Sequence, residues 1–392
     1  MTGWQTAALS DVLADAKPGF ACGEDPTDGV FQFRMNNITT EGQLDFSKKR
    51  RVPRETRSLE SFFVEPGDIL FNATNSPELV GKSAFFPGYD EPAVFSNHFL
   101  RLRPREDKLD GRYLACWLVL QFQRRVFQSM CRQWVNQATV GRDSLLGLRM
   151  PLPPLTEQRR IAEVLDRTEA LRTKRRAALT QVDTLIQSVF LDMFGDPVVN
   201  PRGWPLKKLA NVGTLDRGVS KHRPRNAPEL LGGKHPLVQT GEVANCDGYI
   251  RNHSATYSDL GLRQSKMWPA GTLCITIAAN IAKTGILMFD SCFPDSVVGF
   301  RAEDAATVEF VRVWLSFLQK GLEDSAPESA QKNINLAILR DLDVPFPPVQ
   351  LQHEFARRVA AVEKVKINHR DSLVELDALF GALQHRSFRG EL

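Results

Sequence analysis

The feature that most constrains this chain is a pattern that occurs twice at one fixed offset. The stretch 150–196 reads MPLPPLTEQRRIAEVLDRTEALRTKRRAALTQVDTLIQSVFLDMFGD. It begins with prolines and then runs roughly forty residues without Gly or Pro, as a long helix would. Thr156 is a candidate N-cap, Gly195 can take the left-handed conformation that ends a helix, and Pro197 forbids continuation. Ile161, Leu165, Thr168, Leu171, Ala178, Val182, Leu185 and Val189 recur at spacings of three, four or seven. That spacing predicts one apolar stripe along a helix on the order of 55 Å long.

The C-terminal stretch 343–392 repeats it. Pro151 recurs as Pro345, an offset of 194 (345 less 151). The same offset joins Pro153 to Pro347, Pro154 to Pro348, Gln158 to Gln352, Ala162 to Ala356, and Glu169 to Glu363. It also joins Leu179 to Leu373, Asp183 to Asp377, Leu185 to Leu379 and Phe194 to Phe388, and upstream Gln137 to Gln331 and Leu148 to Leu342. A repeat this long divides the chain into two halves, each a globular segment followed by a long helix. Two helices of matched length, each with a narrow stripe, most economically bury those stripes against each other. The short link 196–204 returns the chain to a full globular segment before the second helix, which predicts an antiparallel pair.

The globular segments carry the repeat too. Gly3-Trp4, Leu9 and Val12 recur as Gly203-Trp204, Leu209 and Val212. Strands are expected at 30–34, 69–71, 83–86 and 99–103, and a helix at 113–130. In the second half the counterparts are 236–240, 272–275 and 286–289, with a helix around Trp314. The loops between them do not repeat, as expected if one scaffold presents two recognition surfaces. The fold expected is therefore α+β: tandem α/β domains at 1–150 and 199–344, with helices at 151–198 and 345–392 forming an antiparallel coiled coil about a pseudo-twofold repeat.

Composition sets limits on function. A length of 392 residues with 42% hydrophobic content suits two ordinary domains plus helices. A net charge of +4 is too mild to imply nucleic acid by itself. The six Cys are dispersed without a CxxC pair, so neither a metal site nor a disulfide framework is expected. The N-terminus lacks a signal-peptide pattern, and the longest apolar run, 113–122, is too short for a bilayer. A cytoplasmic protein with no membrane contact is expected.

Basic residues crowd one loop in each half: Lys48, Lys49, Arg50, Arg51, Arg54 and Arg57 in the first, and Lys221, His222, Arg223 and Arg225 in the second. Such clusters are solvated loops or neutralise backbone phosphates, and one per repeat favours phosphates. Asn72, Thr74 and Asn75 follow a strand, as do Asn280 and Lys283. Their amides, hydroxyls and amine suit base edges or ordinary turns. Gln137 and Thr139, with Gln331, Lys332 and Asn333, precede the long helices and could reach phosphates or bases. Arg172, Lys174, Arg175 and Arg176 are expected on a solvated helix face. No Walker loop, GxSxG elbow, HExxH or Asn/Asp-Pro-Pro-aromatic motif is present, so no catalytic or metal residue is assigned.

With these motifs in place, the chain resembles the specificity (S) subunit of type I restriction–modification systems. That family opens a long helix after each target-recognition domain with Leu-Pro-x-Pro-Pro-Leu-x-Glu-Gln. Pro151-Leu152-Pro153-Pro154-Leu155-Thr156-Glu157-Gln158 fits it closely, and Pro345-Phe346-Pro347-Pro348-Val349-Gln350-Leu351-Gln352 fits with departures, Leu351 standing in place of Glu. The resemblance implies a sequence-specific reader of a split double-stranded DNA site, with the helices as spacer. It implies two modification (methyltransferase) subunits as partners, and restriction subunits joined through them. S-adenosylmethionine would be the partners' cofactor, with none in this chain. The alternatives are a standalone nuclease or methyltransferase with an unrecognised site, and a scaffold that never touches DNA.

Overall fold

A computed structural model describes residues 4–56, 58–133, 137–222, 224–278, 281–325 and 334–392. It divides into two compact units, Met1–Arg176 with Asp371–Leu392, and Ala177–Arg370. The divisions fall inside the two long helices, Leu155–Phe194 and Val349–Ser387.

In the first unit, strand Thr6–Ala8 pairs antiparallel with Arg149–Pro151 and leads into the one-turn helix Leu9–Val12. A four-stranded antiparallel sheet follows, ordered Leu13–Pro18, Phe99–Pro104, Ile69–Asn72, Ser83–Phe85. Ile69, Phe71 and Leu102 face a core of Tyr113, Leu114, Leu118, Leu145, Ile161 and Leu165. Leu70, Ala84 and Phe99 face a second core with Phe31, Phe33 and Phe95. A sheet covered on both sides explains why 69–71 is an unbroken apolar run. The segment 30–34, expected to be half-buried, is buried throughout as Val30–Phe33. Phe31 and Phe33 fill one core, Val30 another, and Gln32 is retained because its amide donates to the Phe20 carbonyl.

The second unit repeats the frame. Leu206–Lys208 pairs with Asp343–Pro345, and Leu209–Val212 is again a one-turn helix. The sheet runs Thr214–Arg217, Val297–Arg301, Leu273–Thr276, Thr284–Leu287, with Gly248–Ile250 added in parallel. The backbone bonds match as well. Leu9 N donates to Leu148 O and Leu209 N to Leu342 O; Leu152 N donates to Gln5 O and Phe346 N to Pro205 O. The strand expected at 236–240 is displaced to Leu231–Leu237, and Thr240–Ala244 forms a short helix instead.

The central helix starts two residues earlier than the Thr156 cap predicts, and the C-terminal helix starts at the repeat-related place. The Pro154 carbonyl accepts from Glu157 N and Gln158 N, and the Pro348 carbonyl from Leu351 N and Gln352 N. Pro154 thus occupies the capping position, and Thr156 lies inside the first turn. Gly195 does take the left-handed conformation, at φ 80°.

In each unit, segments of the two helices pack together and run antiparallel. In the first, Arg172 meets Asp377 and Arg160 reaches Leu392. In the second, Asp183 meets Lys366 and Phe190 packs on Phe355. The apolar stripe departs from expectation at Leu171 and Leu185, which are 54% and 45% exposed. Apolar burial gathers at the ends, on Ile161, Ala162 and Leu165 and on Ile186, Phe190 and Phe194. Between them no aliphatic side chain of the central helix is fully buried, and half-buried Ala178, Leu179 and Val182 share the inward side with Arg172.

Candidate nucleic-acid interface

The basic loop of the first unit divides into two roles. Arg50 donates from Nη2 to the carbonyls of Cys22, Gly23 and Glu24 at 3.0–3.2 Å, so it holds the neighbouring loop in place. Arg51 grips both oxygens of Glu91 at 2.6 and 2.9 Å and also bonds the Gly29 carbonyl. That bidentate contact holds the Glu91 carboxyl below its ordinary range. These two arginines are spent on the fold, which the sequence pattern alone does not distinguish from phosphate contact. Lys48, Lys49 and Arg54 are exposed. Lys49 lies against Tyr89 and Glu91, and Arg54 pairs with Asp28 at 3.0 Å. Exposed pairs of this kind contribute little stability and exchange readily for a phosphate. Arg57 lies outside the described residues.

The strand exit at 72–75 divides in the same way. Asn72 is fully buried; its amide donates to the carbonyls of Thr74 and His98 and its oxygen accepts from Asn75. It therefore builds the turn, its amide and oxygen engaged within the fold. Thr74–Asn75 pairs with Ala138–Thr139, which pairs with Arg132–Gln133. This small sheet brings Thr74 and Thr139 hydroxyls within 3.1 Å of each other, beside Asn75, with Gln137 exposed at its edge. His98 adjoins the same turn. Burial, and then the Arg34 charge, push its imidazole pKa down, so it is neutral near pH 7.

In the second unit the backbone N–H groups of Lys221 and His222 both donate to Gln264 Oε1, which fixes that loop and leaves Lys221 exposed. Arg225 pairs with Asp295. Lys283 follows the Thr276 turn, where its N–H donates to Thr276 Oγ1. It lines a cleft of about 590 Å³ with Asp183, Asp247, Arg312, Glu363 and Lys366. Arg223, Asn280, Gln331, Lys332 and Asn333 lie outside the described residues.

The helices hold the residues whose role the sequence reading missed. Arg172 was expected in solvent, yet its side chain is only 12% exposed. It bonds Glu169 and Asp377 and lies 4.4 Å from the Phe380 ring centre. Arg176 joins Glu169 and Asp377. In the second unit Lys366, 5% exposed by side chain, meets Asp183 and Asp247, Arg370 also meets Asp247, and Glu363 takes Arg251. The signal was present in the sequence as Glu169/Glu363 and Asp183/Asp377, which are paired by the repeat. Chemically, the described surfaces offer cations, amides and hydroxyls, which suit binding. Among the described residues no group of three or more His, Cys, Asp or Glu could hold a metal ion.

The sequence matches the type I restriction modification DNA specificity domain twice, over residues 1–181 and 201–377. The chain belongs to this family. As a type I specificity chain it has relatives of similar length. The putative MjaX specificity subunit of Methanocaldococcus jannaschii is 22% identical over 375 residues, covering 92% of this chain and 87% of that one. The EcoBI specificity subunit of Escherichia coli is 26% identical, covering 93% and 80%. The solved S subunit from M. genitalium shares the fold at a TM-score of 0.63 and 14% identity, over 98% and 96% of the two chains. A chain from a solved type I restriction–modification system matches at 0.59 and 19%, over 100% and 99%. No helix among the described residues of this specificity chain is long and apolar enough to cross a membrane.

Proposed function

We propose that this chain is the non-catalytic DNA-reading subunit of a cytoplasmic type I restriction–modification complex. Each globular half reads one part of a split, asymmetric duplex target, and the two long helices set the gap between the parts. Two modification subunits dock on it, bind S-adenosylmethionine and carry out methyl transfer; restriction subunits join through them. The repeat carries this reading: two frameworks with matching backbone bonds but unlike loops are what two different half-site readers need. In the first half, Thr74, Asn75, Gln137 and Thr139 supply groups for base edges, with Lys48, Lys49 and Arg54 for phosphates. In the second, Lys221, Arg225 and Lys283 take the cationic role.

The test is to map methylated bases in DNA exposed to the modification complex with and without this chain. A single two-part motif that appears only with the chain is expected. Methyl transfer or cleavage by the chain purified alone would overturn the non-catalytic reading. Binding that is insensitive to added salt would overturn the DNA contacts.

A further inference from the structure

We propose that ion pairs between the two long helices, each with a nearly buried cation and a half-exposed acid, fix the register in which the helices pair more than their apolar side chains do. On the reading above, in which helix pairing sets the gap, these residues thereby select the spacing of the DNA target. In the first unit Arg172 of the central helix meets Asp377 of the C-terminal helix at 2.6 Å. In the second, Lys366 of the C-terminal helix meets Asp183 of the central helix. The two pairs are images under the repeat: 172 and 366, like 183 and 377, differ by 194. They also name one register. Eleven residues forward on the central helix, from Arg172 to Asp183, correspond to eleven residues back on the C-terminal helix, from Asp377 to Lys366. Eleven residues are close to three full turns, so both pairs use the same face of each helix.

The apolar alternative is weak in this stretch. Leu171, Leu185, Val374 and Leu379 are all exposed, and among described positions 169–185 no aliphatic side chain is fully buried. A seam of half-buried or exposed apolar residues, Leu179, Val182, Leu373 and Leu376 among the half-buried, tolerates a slip of one turn more readily, since such contacts are not directional. A charge that is nearly buried does not: a slip takes from Arg172 or Lys366 the acid of the facing helix and leaves each with one acid fewer in a site it cannot leave for water. A single polar position specifies register in coiled coils by the same means. Each pair is further anchored on its own side. Arg172 is held by Glu169 and the Phe380 ring, and Lys366 by Asp247 from the globular part of its unit. Arg172, Asp377, Lys366 and Asp183 are thus positioning residues, with no contact to DNA required.

The experiment replaces Arg172, Asp377, Lys366 and Asp183 together by Leu, so that neither pair remains, assembles the chain with its modification subunits, and sequences the methylated sites. Replacing an ion pair whose cation is nearly buried by apolar groups commonly leaves stability equal or higher. The expected result is therefore an unchanged or raised melting temperature with methylation appearing at a second spacer, roughly tenfold above the wild-type level, a coupling of the size contacting charges commonly show. A single unchanged spacer overturns the proposal, whatever the melting temperature does. Asp183→Asn combined with Asp377→Asn, each close to isosteric, gives the same readout should the fourfold variant fail to fold. The wild-type complex separates the two claims: absence of any two-part motif there would sink the functional reading, whereas a two-part motif whose spacer survives both variants sinks only the register lock.

Discussion

Gln158 shows what one polar side chain does in this repeat. It is fully buried at the start of the central helix; its amide donates to the carbonyls of Pro153 at 2.8 Å and Lys108 at 3.0 Å, and its oxygen accepts from Asp110 N at 2.9 Å. Gln352 repeats the motif: its amide donates to Pro347 O, and its oxygen accepts from Thr307. The glutamine thus ties the proline turn to the start of the preceding helix, whose cap is Asp110. Gln158→Leu keeps the volume but strands a buried N–H and two carbonyls, so it should lower stability by about 3 kcal/mol. Equilibrium urea unfolding of the full chain checks this; a loss below about 1 kcal/mol would mean that water satisfies those groups. The sequence alone paired Gln158 with Gln352 but gave no reason for them, because the Lys108 and Thr307 partners lie 50 and 45 residues away. The structural role of Arg50 and Arg51 in the basic loop was hidden for the same reason. Arg50 and Arg51 are visible as charges, but the carbonyls and the Glu91 carboxylate they serve are set by the fold.

Elements with a clear period were legible. The strands at 69–71, 83–86 and 99–103 and the two long helices fall where apolar runs, proline starts and Gly195 put them. The helix expected at 113–130 did not hold. It ends at Gln123, and Val126–Met130 starts in a new direction after Arg125, which sits at φ 58°. No Gly or Pro marks the break, because its cause is tertiary. Phe127 must turn into the core, where it meets Phe71 at 5.0 Å and covers Gly81, at which any Cβ would lie 2.3 Å from its ring. An L-residue in the left-handed region costs on the order of 1–2 kcal/mol, most of which Gly avoids. Arg125→Gly should therefore raise the unfolding free energy by about 1 kcal/mol. A thermal melt showing a loss would mean that the Arg125 side chain contributes more than its backbone strain removes.

For the whole molecule the repeat was the most legible feature and the loops the least. Matched positions such as Leu148/Leu342 and Asp183/Asp377 reappear as matched contacts, since a shared frame constrains both sequence copies alike. The loops between the shared elements obey no shared rule, as the proposed function expects if each answers to a different half-site, so no base can be assigned from them. What the frame does predict is a length. If the helices measure the gap between half-sites, removing one turn from both must shorten that gap without touching either reader. The cut belongs between Thr173 and Asp183 and, in the repeat-related place, between Ile367 and Asp377, so that Arg172, Lys366 and their acids stay in phase. Four residues carry about 6 Å of helix axis, against about 3.4 Å for each base pair. The methylated motif should then lose one or two base pairs from its spacer and keep both specified ends. Deleting the turn from one helix alone should break the pairing of Arg172 with Asp377 or of Lys366 with Asp183 and abolish methylation. A spacer unchanged by the double deletion, read by sequencing methylated DNA, would remove the helices from any role in measuring the site.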